Sequence, residues 1–258
     1  MYSLNDGIEK ITIIEILVLL MALTGLVILF DIIGYPISEK WIYVGVIIYF
    51  IYRLRFFTRE FKYDLNNIFA KITPKSLITI VLVNVFFSYG MLYLSMFALE
   101  NIPGFKAVIS APIFSILALG SSAGIGGLLS TVLVSPICEE LLFRGVFLNR
   151  LKLVVPTSFA IIITSILFGA LHSYGSVISA VVFGVCMCVI YLKTKNILTC
   201  ILAHFINNLL AELFVHIDSG NLIFTNNIFI FVFSILAIVS LYLIIMSLRQ
   251  EWKYICGG

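Results

Sequence analysis

The stretch SPICEELLFRGVFLNR, residues 135–150, lies in an apolar run that extends from about 121 to 149. A helix of that length can cross the roughly 30 Å hydrocarbon core of a lipid bilayer. The stretch nevertheless carries two adjacent glutamates, Glu139 and Glu140, and an arginine, Arg144. Ionisable groups at membrane depth are costly and usually line a polar cavity or a reaction path, so this stretch predicts a functional site.

The composition of the whole chain is that of a polytopic membrane protein. Its 258 residues are 62% hydrophobic and 11% charged, and the mean hydropathy is +1.16. A soluble domain is about half apolar and a quarter charged. The net charge of +3 indicates no patch for nucleic acid. The five cysteines show no CxxC pair and no metal-ligand spacing, so we expect no disulfide framework.

The distribution of apolar stretches predicts an all-α transmembrane helix bundle that forms a single domain over residues 1–258. Small residues at 120–127 favour close helix packing. The apolar stretch 104–119 contains Lys106 and Pro112, and we interpret it as a re-entrant or interfacial segment, or as part of the following span. About eight spans are predicted, at 11–33, 37–57, 76–99, 121–149, 157–173, 174–192, 196–216 and 224–247.

Basic residues predict how the bundle is oriented. Six of them lie at the end of the second span and before the third: Arg53, Arg55, Arg59, Lys62, Lys71 and Lys75. If this segment is cytoplasmic, strict alternation also places the basic residues of 150–152, 193–195 and 249–253 in the cytoplasm. The opposite side then keeps only Lys40 and Lys106. The positive-inside rule therefore predicts a multi-pass protein of the cell membrane with both termini in the cytoplasm.

A proline interrupts the predicted fourth span close to its carboxylates. Pro136 lies three residues before Glu139. Because proline has no N–H, we expect it to free the carbonyl of Val132 and to bend the helix, and the freed carbonyl then needs another partner. The simplest interpretation is a tolerated membrane-helix proline. The functional interpretation is a kink that makes room for water beside the glutamates.

Helical spacing predicts different roles for the two glutamates. Glu140 and Arg144 are separated by four residues, so they share one face of a helix and can form an ion pair. Glu139 is rotated by about 100° from Glu140 and cannot share that pair equally well. We therefore predict that Glu139 is the working carboxylate and that Glu140 is a structural carboxylate held by Arg144.

Two later segments add further polar residues. LFGALHSYG, residues 167–175, puts Phe168 one turn before His172, so the ring can pack against the imidazole. LTCILAHFINNLLAELF, residues 198–214, puts His204 and Asn208 on one helix face, with Asn207 pointing elsewhere. A lone histidine near a helix end, as in the first segment, is more often an interfacial residue than a catalyst. The polar residues of the second segment could simply form a hydrogen bond to a neighbouring helix. Their depths, at about 1.5 Å per residue, overlap with that of Glu139, which allows one polar cavity.

The three patterns together resemble a known family. EExxxR at 139–144, FxxxH at 168–172 and HxxxN at 204–208, in this order, are similar to the motifs of the CPBP (Abi) family of intramembrane proteases. That family includes the type II CAAX prenyl proteases. The resemblance covers a catalytic core at about 120–216, whereas the N-terminal spans within 11–99 show no family signature and are interpreted as accessory.

The resemblance implies a fold and a set of roles. It implies an eight-helix membrane bundle in which a glutamate and a histidine activate water for peptide-bond hydrolysis. Glu139 would be the general base and His172 would help to orient the water. His204 and Asn208 would stabilise the oxyanion. The supporting residues would be Glu140, Arg144 and Phe168.

Participation of a metal stays open at this point. Glu139, His172 and His204 are chemically suitable zinc ligands, with water as the fourth ligand. A metal-free mechanism, with the glutamate as base and Asn208 as oxyanion donor, fits the same residues equally well. Asparagine is a poor zinc ligand, which slightly favours the metal-free alternative.

Three functions are compatible with this pattern. The first is an intramembrane endopeptidase acting on a membrane-inserted or membrane-associated peptide. The resemblance suggests substrates from peptide maturation and bacteriocin immunity, or a prenylated CAAX protein. The second is a non-catalytic membrane scaffold that binds a sensor kinase or a transporter. The third is a proton-relay transporter, which is disfavoured because the sequence shows no inverted repeat of broken helices. The expected partners are the peptide substrate and the lipid bilayer.

Overall fold

The protein folds as a bundle of helices. A computed structural model describes residues 3–54, 59–101, 125–172, 176–217 and 227–256. All regular secondary structure in these ranges is helical. We number the helices α1 (Leu4–Ile8), α2 (Ile13–Ile32), α3 (Lys40–Leu54), α4 (Arg59–Asn66), α5 (Pro74–Asn101), α6 (from Ile125–Leu129 to Asn149–Leu151), α7 (Thr157–Ala170), α8 (Val177–Thr194), α9 (Ile197–Ile217) and α10 (Asn227–Cys256).

Each predicted span overlaps one of the described helices, but the predicted number of spans is not confirmed. Five of these helices (α2, α5, α8, α9 and α10) are long and apolar enough to cross a membrane. Helices α3 and α7 have only 15 and 14 residues, or about 21–23 Å, which is short of a hydrocarbon core of roughly 30 Å. Helix α6 carries the charged residues of the predicted site. The protein is thus a membrane-spanning helical bundle, and the count of eight stays a prediction.

Two sequence predictions fall mainly outside the described residues. The re-entrant or interfacial segment proposed for 104–119 lies outside them, as do residues 120–124 of the small-residue stretch. Single-domain organisation also stays a prediction.

Helix α6 occupies the middle of the bundle. It contacts α1, α2, α3, α7, α8 and α9. Its segment Leu141–Leu148 is buried on nearly every side, including the guanidinium of Arg144. Helix α2 shows the opposite pattern, because Ile16 is its only buried residue among those described. An apolar helix that is mostly exposed is suited to face lipid, whereas a buried helix can carry polar groups that find partners inside the bundle.

The proline of α6 acts on a different carbonyl from the one predicted. The segment Ser130–Val134 has π-helical geometry, in which the N–H of Ser135 donates to the carbonyl of Ser130. Pro136 has no N–H to donate. The carbonyl of Thr131 is therefore available, and the side-chain amide of Asn208 donates to it at 2.9 Å. The prediction named the carbonyl of Val132, whereas the carbonyl that accepts a side-chain donor is that of Thr131, because the wider π turn shifts the hydrogen-bond register.

Contacts of the N-terminal segment gather basic residues at one end of the bundle. The carboxylate of Asp64 accepts hydrogen bonds from Ser3 Oγ at 2.9 Å and from the Leu4 N–H at 2.8 Å. The Arg150 side chain donates to the carbonyl of Ile11 at 2.7 Å, and Asn5 donates to the carbonyl of Lys195. We call the end of the bundle that carries Arg150 and Lys195 the basic end. That it faces the cytoplasm stays a prediction.

Candidate active site

One cavity brings together the residues that the sequence singled out for catalysis. Its volume is about 520 Å³, and it is lined by residues of α3, α6, α7 and α9 and of the segment that precedes α3. The lining includes all four predicted catalytic residues: Glu139, His172, His204 and Asn208. Residues separated by up to 69 positions in sequence therefore share one polar space inside an apolar bundle.

Glu139 is the carboxylate that faces the cavity. Its side chain is 15% exposed, whereas the side chain of Glu140 is 0% exposed. Ser135 Oγ, one helical turn earlier, donates a hydrogen bond to Glu139 Oε1. Glu139 Oε2 lies 3.8 Å from His204 Nε2, which is too long for a direct hydrogen bond. Two atoms at this separation can both contact a single water at roughly 2.8 Å.

Glu140 is buried and contacts two side chains, those of Arg144 and His204. Its Oε1 accepts from Arg144 Nη1 at 2.8 Å, as the spacing predicted. The same oxygen lies 2.8 Å from His204 Nδ1, a contact that the sequence did not indicate. Arg144 also donates to the carbonyl of Gly184 at 3.3 Å, and its guanidinium carbon lies 4.5 Å from the ring centroid of Phe168.

The contact with Glu140 determines how His204 presents its ring to the cavity. An ionised carboxylate only accepts hydrogen bonds, so Nδ1 of His204 carries the proton in this pair and Nε2 is directed towards Glu139. The ring of Phe183 packs edge-on against the imidazole at a centroid distance of 4.9 Å. The ring of Phe168 also packs edge-on against it, at a centroid distance of 5.9 Å. The histidine is therefore held by a carboxylate and two aromatic rings.

His172 is fixed by the end of α7. Its Nδ1 lies 2.9 Å from the carbonyl of Phe168, in the last turn of the helix where carbonyls lack helical partners. A carbonyl oxygen only accepts, so Nδ1 donates and Nε2 of His172 is free for the cavity. The rings of Phe168 and His172 lie 4.7 Å apart, which agrees with the predicted packing of the phenyl ring against the imidazole.

Asn208 connects α9 to the π turn of α6. One N–H of its amide is used in the bond to the Thr131 carbonyl, and the same nitrogen has a second N–H. Asn207 was predicted to point elsewhere, but its amide donates to Asn208 Oδ1 at 3.3 Å. The two asparagines thus orient each other, because side-chain amides can bond sideways across adjacent positions.

The suggested zinc ligands do not form a ligand set as they stand. No three His, Cys, Asp or Glu side chains come together as a possible metal site in the part of the chain that the structure describes. Glu139, His172 and His204 line the same cavity without reaching that arrangement.

The sequence analysis missed two site residues, Ser135 and Phe183. Only Ser135 could have been found from its spacing. Ser135 precedes Glu139 by four residues, so the same spacing argument that paired Glu140 with Arg144 could have paired these two. Phe183 lies on α8 and contacts His204 on α9. No spacing within one helix can reveal that contact, because it depends on how two helices pack.

If this site carries out the peptide hydrolysis that the resemblance implies, replacing Ser135 by alanine is expected to lower its rate by about tenfold. The hydroxyl holds the Glu139 carboxylate in place, and a hydrogen bond to a charged group contributes about 1.5–3 kcal/mol. A part of that energy is regained from water in the cavity. Cleavage kinetics of the purified protein measure the effect. Ser130→Ala, which removes another hydroxyl from the same cavity, is the control and should change the rate by less than about twofold. Equal rates for Ser135→Ala and the unaltered protein would exclude a role of Ser135 in positioning Glu139.

Comparison with known families agrees with the motifs. Residues 121–210 match the family model described as type II CAAX prenyl endopeptidase Rce1-like. All seven residues of the three motifs lie in the matched segment. Comparisons with curated proteins and with solved structures gave no match. The motifs, their meeting in one cavity and the family match lead to the same conclusion: residues 121–210 carry a domain of the Rce1-like family of type II CAAX prenyl endopeptidases.

Proposed function

We propose that the protein is an intramembrane endopeptidase that hydrolyses a peptide bond of a membrane-inserted or membrane-associated peptide. The observation that carries this proposal is the cavity that joins Glu139, His172, His204 and Asn208. A carboxylate and two histidines enclosed by apolar helices can activate a water molecule that lipid would otherwise exclude.

Glu139 acts as the general base. It takes a proton from a water molecule while the water oxygen attacks the carbonyl carbon of the scissile peptide bond. The same carboxylic acid then gives its proton to the leaving nitrogen as the C–N bond breaks, so one residue serves both steps. The hydrogen bond from Ser135 holds the carboxylate towards the cavity. The free Nε2 of His172 accepts a hydrogen bond from the water and orients it.

His204 and Asn208 stabilise the oxyanion that forms in this reaction. For His204 to donate from Nε2, its ring must carry a proton on each nitrogen, with the Nδ1 proton directed to the Glu140 carboxylate. Asn208 contributes its second amide N–H. Hydrogen-bond donors that are fixed in place before the reaction stabilise the developing negative charge more strongly in a water-poor cavity than in solution.

The cavity leads away from the basic end. Its lining includes Ser38 and Glu39, in the segment between α2 and α3, and Glu212, four residues beyond Asn208 on α9. Helix α2 starts beside α1 at the basic end, so its far end and the segment that follows lie at the opposite end. With the orientation proposed from the positive-inside rule, a substrate reaches the site from the non-cytoplasmic side. This favours an exported or membrane-inserted peptide over a cytoplasmic prenylated tail.

Cysteine labelling in intact cells tests the direction of access. We expect a membrane-impermeant maleimide to label Ser38→Cys in intact cells and Asn66→Cys only after permeabilisation, with Cys256 replaced by serine in both variants. Both reporter positions are exposed, and Cys138, Cys186, Cys188 and Cys200 are buried. The reverse labelling pattern would place the cavity mouth in the cytoplasm and restore the prenylated tail as a substrate.

A cleavage assay tests the activity itself. The purified protein in lipid is incubated with a panel of single-span peptides and one prenylated CAAX peptide, and the products are identified by mass spectrometry. We expect internal cleavage of at least one peptide by the unaltered protein and none by Glu139→Gln. If every peptide stays intact with both proteins, the protease proposal fails for these substrates and the scaffold hypothesis takes its place.

A further inference from the structure

A second cavity lies between three helices at the basic end, remote from the catalytic cavity. Helices α5, α8 and α10 pack against one another there and enclose a volume of about 580 Å³. Ligand sites in proteins commonly have volumes of about 300–1,000 Å³. Among the described residues, this cavity and the catalytic cavity have no lining residue in common. Peptide hydrolysis therefore does not account for it.

The cavity is polar at one end and apolar along its length. The polar end contains Lys71 and Thr73, just before α5, and Lys75 in its first turn, whereas Ile80 and Val83 lie further along that helix. The ten residue-to-residue steps from Thr73 to Val83 correspond to about 15 Å at the rise of a helix. That is half of the roughly 30 Å hydrocarbon core. The groove therefore has the depth of one leaflet, with its charged end at headgroup level. The apolar residues contributed by α8 and α10 are Val189, Ile190, Leu243, Ile244 and Leu248.

The polar end has an excess of positive charge. Lys193 of α8 is paired with Glu251 of α10, so these two charges cancel. Lys71 and Lys75 are exposed, and neither has an ion-pair partner in the part of the chain described. The N-terminus of α5, which has 28 residues, adds the partial positive charge of the helix dipole. Two unpaired ammonium groups above an apolar groove are chemically complementary to a phosphate with a hydrocarbon tail.

We propose that this groove binds an anionic phospholipid, with the phosphate on Lys71 and Lys75 and one acyl chain between α5, α8 and α10. Basic pockets between transmembrane helices are suited to such headgroups. A soluble anion would use only the lysines and would leave the apolar walls without a partner. A zwitterionic lipid would fill the groove without using the excess charge. The combination of both features selects an anionic lipid.

Native mass spectrometry of the purified protein in detergent tests this site. We expect phosphatidylglycerol to bind more tightly than phosphatidylcholine, and the double variant Lys71→Gln/Lys75→Gln to bind phosphatidylglycerol about 30-fold more weakly, since each basic residue near an anionic headgroup contributes about a factor of five. Both lysines are exposed, so the variant should fold. Arg59→Gln/Lys62→Gln, which removes two basic residues from α4 at the same end but outside the groove, should bind like the unaltered protein.

Each other outcome contradicts the proposal in a different way. Equal weakening in both double variants would mean that lipid is attracted by the general charge of the basic end. Equal binding of the two lipids would mean that the lysines do not recognise the headgroup. A thermal-shift measurement with inorganic phosphate completes the test. Stabilisation by phosphate that matches the stabilisation by phosphatidylglycerol would mean a soluble-anion site.

Discussion

Replacing Glu139 by glutamine is expected to lower the rate of peptide cleavage by about 10²–10⁴-fold, with little change in the stability of the fold. Glutamine keeps the shape of the side chain and can still accept a hydrogen bond from Ser135. It cannot take a proton from water, and loss of a general base has an effect of this size. The measurement is kcat for a peptide that the unaltered protein cleaves, together with the thermal unfolding temperature of both proteins.

The control for this experiment is Glu212→Gln. Glu212 lines the same cavity, so its replacement removes the same charge from the same space without touching Glu139. We expect its cleavage rate to stay within about threefold of the unaltered protein. If both variants lose activity to the same degree, the total negative charge of the cavity matters and Glu139 has no special role. Full activity of Glu139→Gln would exclude Glu139 as the base.

Replacing Glu140 by alanine is expected to lower the free energy of unfolding by about 3–5 kcal/mol and to abolish cleavage. The change leaves the fully buried guanidinium of Arg144 without its carboxylate, and breaking a buried ion pair by removing one partner has a cost of this size. It also removes the acceptor that holds His204. Denaturant unfolding in mixed micelles measures the stability. Arg53→Ala, which breaks an exposed pair with Glu15, should cost less than about 1 kcal/mol.

The double variant Glu140→Leu/Arg144→Leu separates stability from catalysis. Removing both charges leaves no buried ion without a partner, so we expect most of the lost stability to return. Cleavage should stay absent, because His204 Nδ1 still has no carboxylate. Recovery of both stability and activity would show that Glu140 serves the fold alone. Failure to recover stability would show that the packing of these two side chains matters more than their charges.

The positions of the helices could be predicted from the sequence because lipid imposes one simple rule. Every backbone polar group inside a membrane must find a partner within its own segment, so a long apolar stretch becomes a helix. The predicted spans at 76–99 and 196–216 accordingly coincide with α5 and α9. The number of complete spans could not be predicted in the same way. An apolar stretch of 14 residues, such as α7, can be a short span or a buried helix, and composition does not distinguish them.

In the candidate site, a contact within one helix could be predicted from the sequence, whereas the contacts between helices could not. The pair of Glu140 and Arg144 follows from four-residue spacing on one helix and is present in the structure. The bond between Glu140 and His204 joins α6 to α9 and depends on the rotation of both helices about their axes. The bond from Asn208 to Thr131 depends in addition on a π turn. A π turn changes the register by one residue, and a spacing argument that assumes α-helical geometry cannot detect it.

The single carboxylate oxygen shared by Arg144 and His204 has a consequence for quality control in the cell. A membrane protease that kept cutting while its bundle came apart would endanger every neighbouring membrane protein. In this molecule, any loosening that separates α6 from α9 also releases the histidine from the atom that orients it. On the proposed mechanism, a copy in which α6 and α9 had separated would therefore lose its activity together with its structure.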